Sequence, residues 1–119
     1  MKVSGIDATY YTVKDLDKET KFYTGLLGSG PTFHQPDFVS EWTFGGGETF
    51  GLYKTASENV MPGGTAMFAV DDVAQAVKDA QAMGTKMHDE GNVTDTPVCH
   101  MAFGEDPEGN QFILHKRKQ

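Results

Sequence analysis

Four histidines, one cysteine and a few well-placed carboxylates are the side chains of this 119-residue chain that can do chemistry near neutral pH. Three imidazoles meeting at a point would suit Zn, which takes neutral His nitrogens readily. His34, His88, His100 and His115 are available for that, with Glu41 as an accompanying carboxylate. No short spacing such as His-x-His ties any two of them together, so they are expected to be surface or hydrogen-bonded histidines. His100 or His115, neutral near pH 7, can instead accept or donate a hydrogen bond or act as a general base. Cys99 stands alone with no obvious cationic neighbour to lower its pKa, and a buried structural thiol is expected there. A second set is apolar. Tyr10, Trp42, Tyr53 and Met67 are of the types that line a site for an apolar or planar organic molecule, though the same residues would also fill a core.

The bulk properties narrow the partners. A chain of this length is of one-domain size and buries roughly two-thirds of its unfolded surface. Hydrophobic residues at 38% and charged residues at 23% are ordinary for a globular domain. No apolar run approaches the roughly 18 residues of a membrane span, and the first five residues lack a signal-peptide core, so a cytoplasmic location is expected. One cysteine excludes an internal disulfide framework. A net charge of -7 opposes phosphate backbones, and the basic tail Lys116-Arg117-Lys118 is too narrow for a nucleic-acid surface. Neither a nucleic acid nor a membrane is an expected partner.

The elements that must carry these residues repeat. Asp106-Pro107-Glu108-Gly109-Asn110 has the chemistry of a tight hairpin turn: an acceptor side chain, a preset φ and a residue tolerant of positive φ. The strand after it, Phe112–Lys116, has the pattern of Phe50–Lys54, which follows the glycine-rich turn at residues 45–48. Upstream, Gly5–Val13 reads as a strand, and Asp15 caps a helix with an apolar stripe at Phe22, Tyr23, Leu26 and Leu27 that stops at Gly28. A weak strand at Pro31–Gln35 and a stronger one at Phe38–Phe44 precede Thr49–Lys54. Thr55–Gly64 reads as a linker. The pattern then restarts with a strand at Thr65–Val70. The helix after it is opened by Asp71 or Asp72, the latter fitting a capping box with Gln75, and has Val73, Val77, Ala80 and the nearby Met83 on one face up to Gly84. Further strands are expected at Lys86–Asp89 and Pro97–Phe103. Each half is thus strand, helix and three strands, over residues 1–57 and 63–119, and a single half would leave one sheet face uncovered.

With these elements in place, the chain resembles the vicinal oxygen chelate superfamily, which includes glyoxalase I, extradiol dioxygenases and bleomycin-resistance proteins. The resemblance rests on Asp106-Pro107-Glu108-Gly109-Asn110 before the last strand and on Val13-Lys14-Asp15-Leu16 followed by Phe22-Tyr23 and Leu27-Gly28. The duplication, with Val70-Asp71-Asp72-Val73 as the second junction, extends it over nearly the whole chain. It implies an α+β fold of two βαβββ modules, with curved mixed sheets around a cavity, commonly in a homodimer. Metal enzymes of the family take one ligand from the first strand and one from the fourth strand of each module, typically His and Glu. On this chain those positions fall on Ala8, Gly51, Thr65 and Ile113, none of them a good ligand, so no metal or other cofactor is expected. Tyr53 and His115 lie two residues farther on, displaced by about 6.6–7 Å, too far to rebuild the site.

If positions 8, 51, 65 and 113 face inward, strand alternation turns Tyr10, Thr12, Tyr53, Met67, Ala69, Gln111 and His115 the same way. Pairing across the glycine turn sets Trp42 opposite Gly51, beside the space that glycine leaves. The register of the last hairpin is ambiguous by one residue; His100 is preferred on the inner face, with Cys99 and Met101 as the alternative. The expected ligand-binding set is therefore Tyr10, Trp42, Tyr53, Met67, His100 and His115. The expected function is metal-free binding of an apolar or planar small molecule, resembling the bleomycin-resistance members. The charge of -7 is compatible with a cationic ligand, Glu41 and Glu48 being the acids near the proposed site. The alternatives are a glyoxalase- or dioxygenase-type metalloenzyme with relocated His ligands, and a cofactorless enzyme with a His base.

Overall fold

In the computed structural model, which describes residues 1–2, 4–57 and 61–118, Asp15 opens the first helix by accepting the Lys18 amide at 3.0 Å. That helix, α1, spans Leu16–Leu27 and ends on Gly28 at φ 80°, the left-handed stop expected of a glycine. It follows strand β1 (Ala8–Val13) and precedes β2 (Phe33–Gln35), β3 (Val39–Thr43) and β4 (Thr49–Lys54). These four strands form one mixed sheet in the order β1-β4-β3-β2, with β1 parallel to β4. The second half repeats the plan: β5 (Thr65–Ala69), α2 (Val73–Ala82), β6 (Lys86–Met87), β7 (Thr94–Asp95), β8 (Cys99–Glu105) and β9 (Gln111–Arg117). Its sheet runs β5-β9-β8-β6, with β7 also paired to β8. The chain divides into two compact units, Met1–Met61 and Pro62–Gln119. The expected linker runs through Glu58–Val60, and the expected modules contain Val3 and Gln119; these residues lie outside those described. No helix among the described residues is long and apolar enough to cross a membrane.

Each helix covers one face of its own sheet. Leu16, Glu19 and Tyr23 are the buried residues of α1, and the Tyr23 ring lies 4.9 Å from Phe50 and 6.3 Å from both Tyr11 and Trp42. Burial of such large side chains is worth about 1.5–3 kcal/mol apiece, so this aromatic cluster dominates the first unit's core. Of the expected stripe only Tyr23 is fully buried; Phe22, Leu26 and Leu27 sit at its margin. On α2, Val73, Val77 and Ala80 are buried, while Met83, past the helix end, is 42% exposed. Asp72 caps α2 by accepting the Gln75 amide at 3.1 Å. The Gln75 side chain turns forward to Asp79 at 2.9 Å, so only half of the expected capping box forms.

Two differences from expectation have local causes. The strand expected over Lys86–Asp89 stops at Met87, because Asp89 and Glu90 take left-handed φ values of 51° and 57° and Gly91 follows at 81°. The chain then returns along β8 as β7, giving the second unit one strand more than expected.

The other difference is a matter of loop length. The β3–β4 and β8–β9 hairpins each close on three residues. Phe44 donates its amide to Glu48 at 2.9 Å around Gly45-Gly46-Gly47, and Asp106 donates its amide to Asn110 at 2.8 Å around Pro107-Glu108-Gly109. The last loop residue is left-handed in each, Gly47 at 93° and Gly109 at 88°, which is the geometry that a three-residue hairpin loop requires. The buried Asp106 carboxylate locks the second loop, accepting the amides of Glu108 at 2.9 Å and Asn110 at 2.8 Å and the Asn110 side-chain amide at 3.0 Å. Trp42 consequently pairs with Phe50, and Glu41 pairs with Gly51.

Two open sheet faces as the candidate site

The face of the first sheet turned away from α1 is built in rows across the strands. One row reads Phe33, Glu41, Gly51, Tyr10 from β2 through β3 and β4 to β1. The next reads Gln35, Val39, Tyr53, Thr12. Tyr10 and Tyr53 are 46% and 45% exposed, and the Phe38 ring packs edge-on to Tyr53 at 5.2 Å. Tyr10 lies across the sheet over Gly51: a Cβ on that glycine would sit 2.3 Å from the ring. The phenol reaches Glu41 and donates a hydrogen bond to its carboxylate. That bond, with some desolvation and the nearby negative charge, raises the Tyr10 pKa above the ordinary phenol value. Glu41 is the one charged side chain among the strand residues of these two rows.

Trp42 is not on this face. The three-residue loop shifts the pairing by one residue from the expected two-residue register, and a shift of one turns every side chain of a strand over. Trp42 is 2% exposed, packed among Tyr23 and Phe50 under α1, with its indole N–H donated to the Ser29 carbonyl at 2.9 Å. The space over Gly51 that was expected to lie open beside it is taken by Tyr10.

The corresponding face of the second sheet carries Met67 and His115. Its rows are Thr65, Gln111, Glu105 and Lys86, then Met67, Ile113 and Phe103, then Ala69, His115, Met101 and Thr94. The first row is polar and internally satisfied: Thr65 donates to Gln111 at 3.1 Å, and Glu105 meets Lys86 at 3.3 Å and His88 at 2.9 Å. His88 and Lys86 together hold the Glu105 carboxyl below the usual range, the hydrogen bond from His88 being the larger influence. Met67 is 53% exposed and His115 half-buried.

His100 is not on this face either, since Met101 is the residue opposite His115. The odd loop again decides the register, in favour of the alternative with Cys99 and Met101. His100 faces the helix side and lines a cleft of about 680 Å³ with the start of α2 and Lys116–Lys118. There its ring meets Asp95 at 3.3 Å, and Lys118 also pairs with Asp95 and is the main cause of that carboxyl's lowered pKa. Cys99 is buried, its sulfur 3.2 Å from the Thr96 hydroxyl. His34 is tied to Ser40 at 2.7 Å, and Ser40 in turn to Thr20 at 2.8 Å.

No three His, Cys, Asp or Glu side chains among the described residues lie close enough to hold a metal ion together. At the positions the family uses for ligands, Ala8, Gly51 and Ile113 have no donor atom and Thr65 spends its hydroxyl on Gln111. That donor set does not fit Zn, Fe or Mn. Sequence reasoning set Glu41 near the site but missed Phe33 and the single row that puts both beside Tyr10; the three consecutive glycines of the first hairpin loop were the signal for the register that brings them together.

Comparison with known proteins agrees with this architecture. Residues 5–114 match the Glyoxalase/Bleomycin resistance protein/Dioxygenase superfamily. No curated protein matches the chain. Among solved structures, a protein of Agrobacterium tumefaciens determined in solution shares 22% identity at a TM-score of 0.80, covering 98% of this chain and 100% of its own. The lactoylglutathione lyase of the same organism shares 18% at 0.76, covering 97% and 95%. A glyoxalase/bleomycin resistance protein of Catenulispora acidiphila shares 17% at 0.72, covering 94% and 97%. Likeness at these identities is likeness of fold.

Proposed function

This chain belongs to the Glyoxalase/Bleomycin resistance protein/Dioxygenase superfamily, and from that membership we propose that it is a metal-free small-molecule-binding protein that sequesters an apolar or planar organic ligand on the open faces of its sheets. The observation that carries the reading is the exposure of Tyr10, Tyr53 and Met67 on faces that no helix of their own unit covers. Large aromatic and thioether side chains left in water on an open sheet face gain free energy when a ligand covers them. His115 supplies a polar contact on the second face. The protein acts as a cytoplasmic homodimer in this reading.

The magnitudes bound the affinity. Covering roughly 150–250 Å² of apolar ligand surface at about 25 cal/mol/Å² contributes about 4–6 kcal/mol, and an aromatic stack adds about 0.5–1.5. Micromolar binding needs about 8 kcal/mol, so hydrogen bonds from Tyr10, Tyr53 or His115 must supply the remainder. The test has two arms. Elemental mass spectrometry of the tag-free protein, before and after refeeding with Zn, Fe and Mn, is expected to find far less than one metal per chain. Titration with 2-naphthol, followed through the tyrosine ring and methionine methyl signals, is expected to saturate at Tyr10, Tyr53 and Met67. Near-stoichiometric metal with turnover in a glyoxalase or dioxygenase assay would overturn the reading, as would naphthol shifts that bypass both faces. Trp42, buried under α1, is the wrong reporter.

A further inference from the structure

We propose that the row Phe33, Glu41, Gly51, Tyr10 is the cation-recognising end of the first unit's open face, so that the ligand class it takes is an organic ammonium carried on an apolar body. This deepens the small-molecule reading above and rests on it. The pairing register puts the four residues side by side on four adjacent strands. Glu41 is half-buried, with Phe33 on one side and, across Gly51, Tyr10 on the other.

The arrangement has three parts, each with a reason. Glu41 brings the one formal charge on this row or the next, and no Lys, Arg or His shares either row to neutralise it. Gly51 is the residue that lets the Tyr10 ring sit over the sheet at this point, since any Cβ there would overlap it. The phenol then holds one carboxylate oxygen, Oε2, by hydrogen bond, which orients the carboxylate and engages only one of its two oxygens. Flanking rings with exposed π faces attract a cation through their quadrupoles, and a carboxylate between them adds direct Coulomb attraction. An anion would meet uncompensated repulsion in the same place, and a neutral ligand would gain from the rings alone. Tyr53 on the adjoining row, backed by Phe38, offers an apolar bed for the body of the molecule.

Three isosteric probes read the charge preference: benzylammonium, benzyl alcohol and benzoate, titrated into the full chain with amide and tyrosine-ring shifts recorded. Benzylammonium is expected to saturate the signals of Phe33, Glu41, Gly51 and Tyr10 with roughly tenfold higher affinity than benzyl alcohol, and benzoate to bind weakest. Added salt narrows the gap. Glu41→Gln is expected to erase the preference, benzylammonium and benzyl alcohol then binding with like affinity in the same variant. Tyr10→Phe keeps the ring and frees the second carboxylate oxygen, and is expected to bind benzylammonium at least as well as the parent. Equal affinity of the alcohol and the ammonium, or a preference that survives Glu41→Gln in a folded variant, would overturn this inference and leave small-molecule binding standing. Failure of all three probes to shift either sheet face would overturn both.

Discussion

Gly51→Ala is the perturbation that separates the placement of Tyr10 from its alternatives. The new Cβ would lie 2.3 and 2.5 Å from two carbons of the Tyr10 ring and 3.3 Å from the Ser40 carbonyl. The backbone contact is tight and tolerable; the ring contacts are not, so the ring, as the movable partner, swings away and its bond to Glu41 breaks. A hydrogen bond of this kind contributes about 0.5–1.5 kcal/mol, nearer the lower end where the pair is half-exposed. Against that, alanine is favoured over glycine within a strand by about 0.5–1 kcal/mol. The two offset one another, and urea unfolding at pH 7 should change by less than about 1 kcal/mol. The sensitive readout is the phenol. Tyr10 has a folded pKa raised above its unfolded value of about 10, so the pair's stabilisation is fully present below that value and is lost as pH rises through the higher folded one. In Gly51→Ala, as in Glu41→Gln, the Tyr10 pKa should fall back toward the ordinary value, measured from its ring carbon shift, and this extra alkaline loss should disappear. A Tyr10 pKa that stays as high in Gly51→Ala as in the parent would refute the account of the ring lying on Gly51.

Three further outcomes follow from the geometry. Asp106→Ala strips the second hairpin loop of three hydrogen bonds in a buried setting, and should cost about 2–4 kcal/mol in urea unfolding, with Asp106→Asn costing less. Glu105 has its carboxyl pKa lowered, first by the His88 hydrogen bond and then by Lys86. Its contribution to stability is present above the ordinary Glu value of about 4.3 and is lost as pH falls through the folded one, so acid unfolding of His88→Gln should begin with a shallower slope. Trp42→Phe should lower the melting temperature, through the indole bond left unmade at the Ser29 carbonyl and the volume lost beside Tyr23, while leaving 2-naphthol affinity unchanged.

Much of the fold was legible because it is written in local chemistry. Asp15 and Asp72 are side chains that satisfy free helix-end amides, Gly28 marks a left-handed stop, and the two helices and their strands follow from those signals. The metal positions could be read as unsuitable from residue type alone, with no distance needed. What failed was face assignment for Trp42 and His100, and both errors have one origin. Alternation along a strand is dependable, whereas the relation between two strands depends on the number of residues in the loop, which composition does not count. Asp106-Pro107-Glu108-Gly109-Asn110 was recognised as a turn, but nothing in those five letters distinguishes two from three residues at its tip. The strand expected to continue through Asp89 failed for another reason. Asp89 and Glu90 are ordinary residues in an unusual backbone region, and no propensity foretells that.

That left-handed stretch at residues 89–91 gives the second unit an uneven resistance to opening. Each non-glycine residue there carries about 1–2 kcal/mol of conformational penalty, and what holds the stretch is contact on two sides: β8, to which His88 just before it is tied through Glu105 at 2.9 Å, and α2, through the Gln81 amide reaching the Glu90 carbonyl at 3.3 Å and Gly91 pressed so close to Val77 that an added Cβ would lie 2.8 Å from it. The segment is thus held between α2 and β8, and fraying of the last turn of α2 removes one side of that hold. Its amides are expected to exchange with solvent through local opening, far faster than those of β8 and β9, whose ladder breaks only with the whole unit. The weak seam of the second unit runs along the end of its helix, on the side of the sheet away from the face that carries Met67 and His115, so thermal breathing and ligand capture draw on separate parts of the molecule.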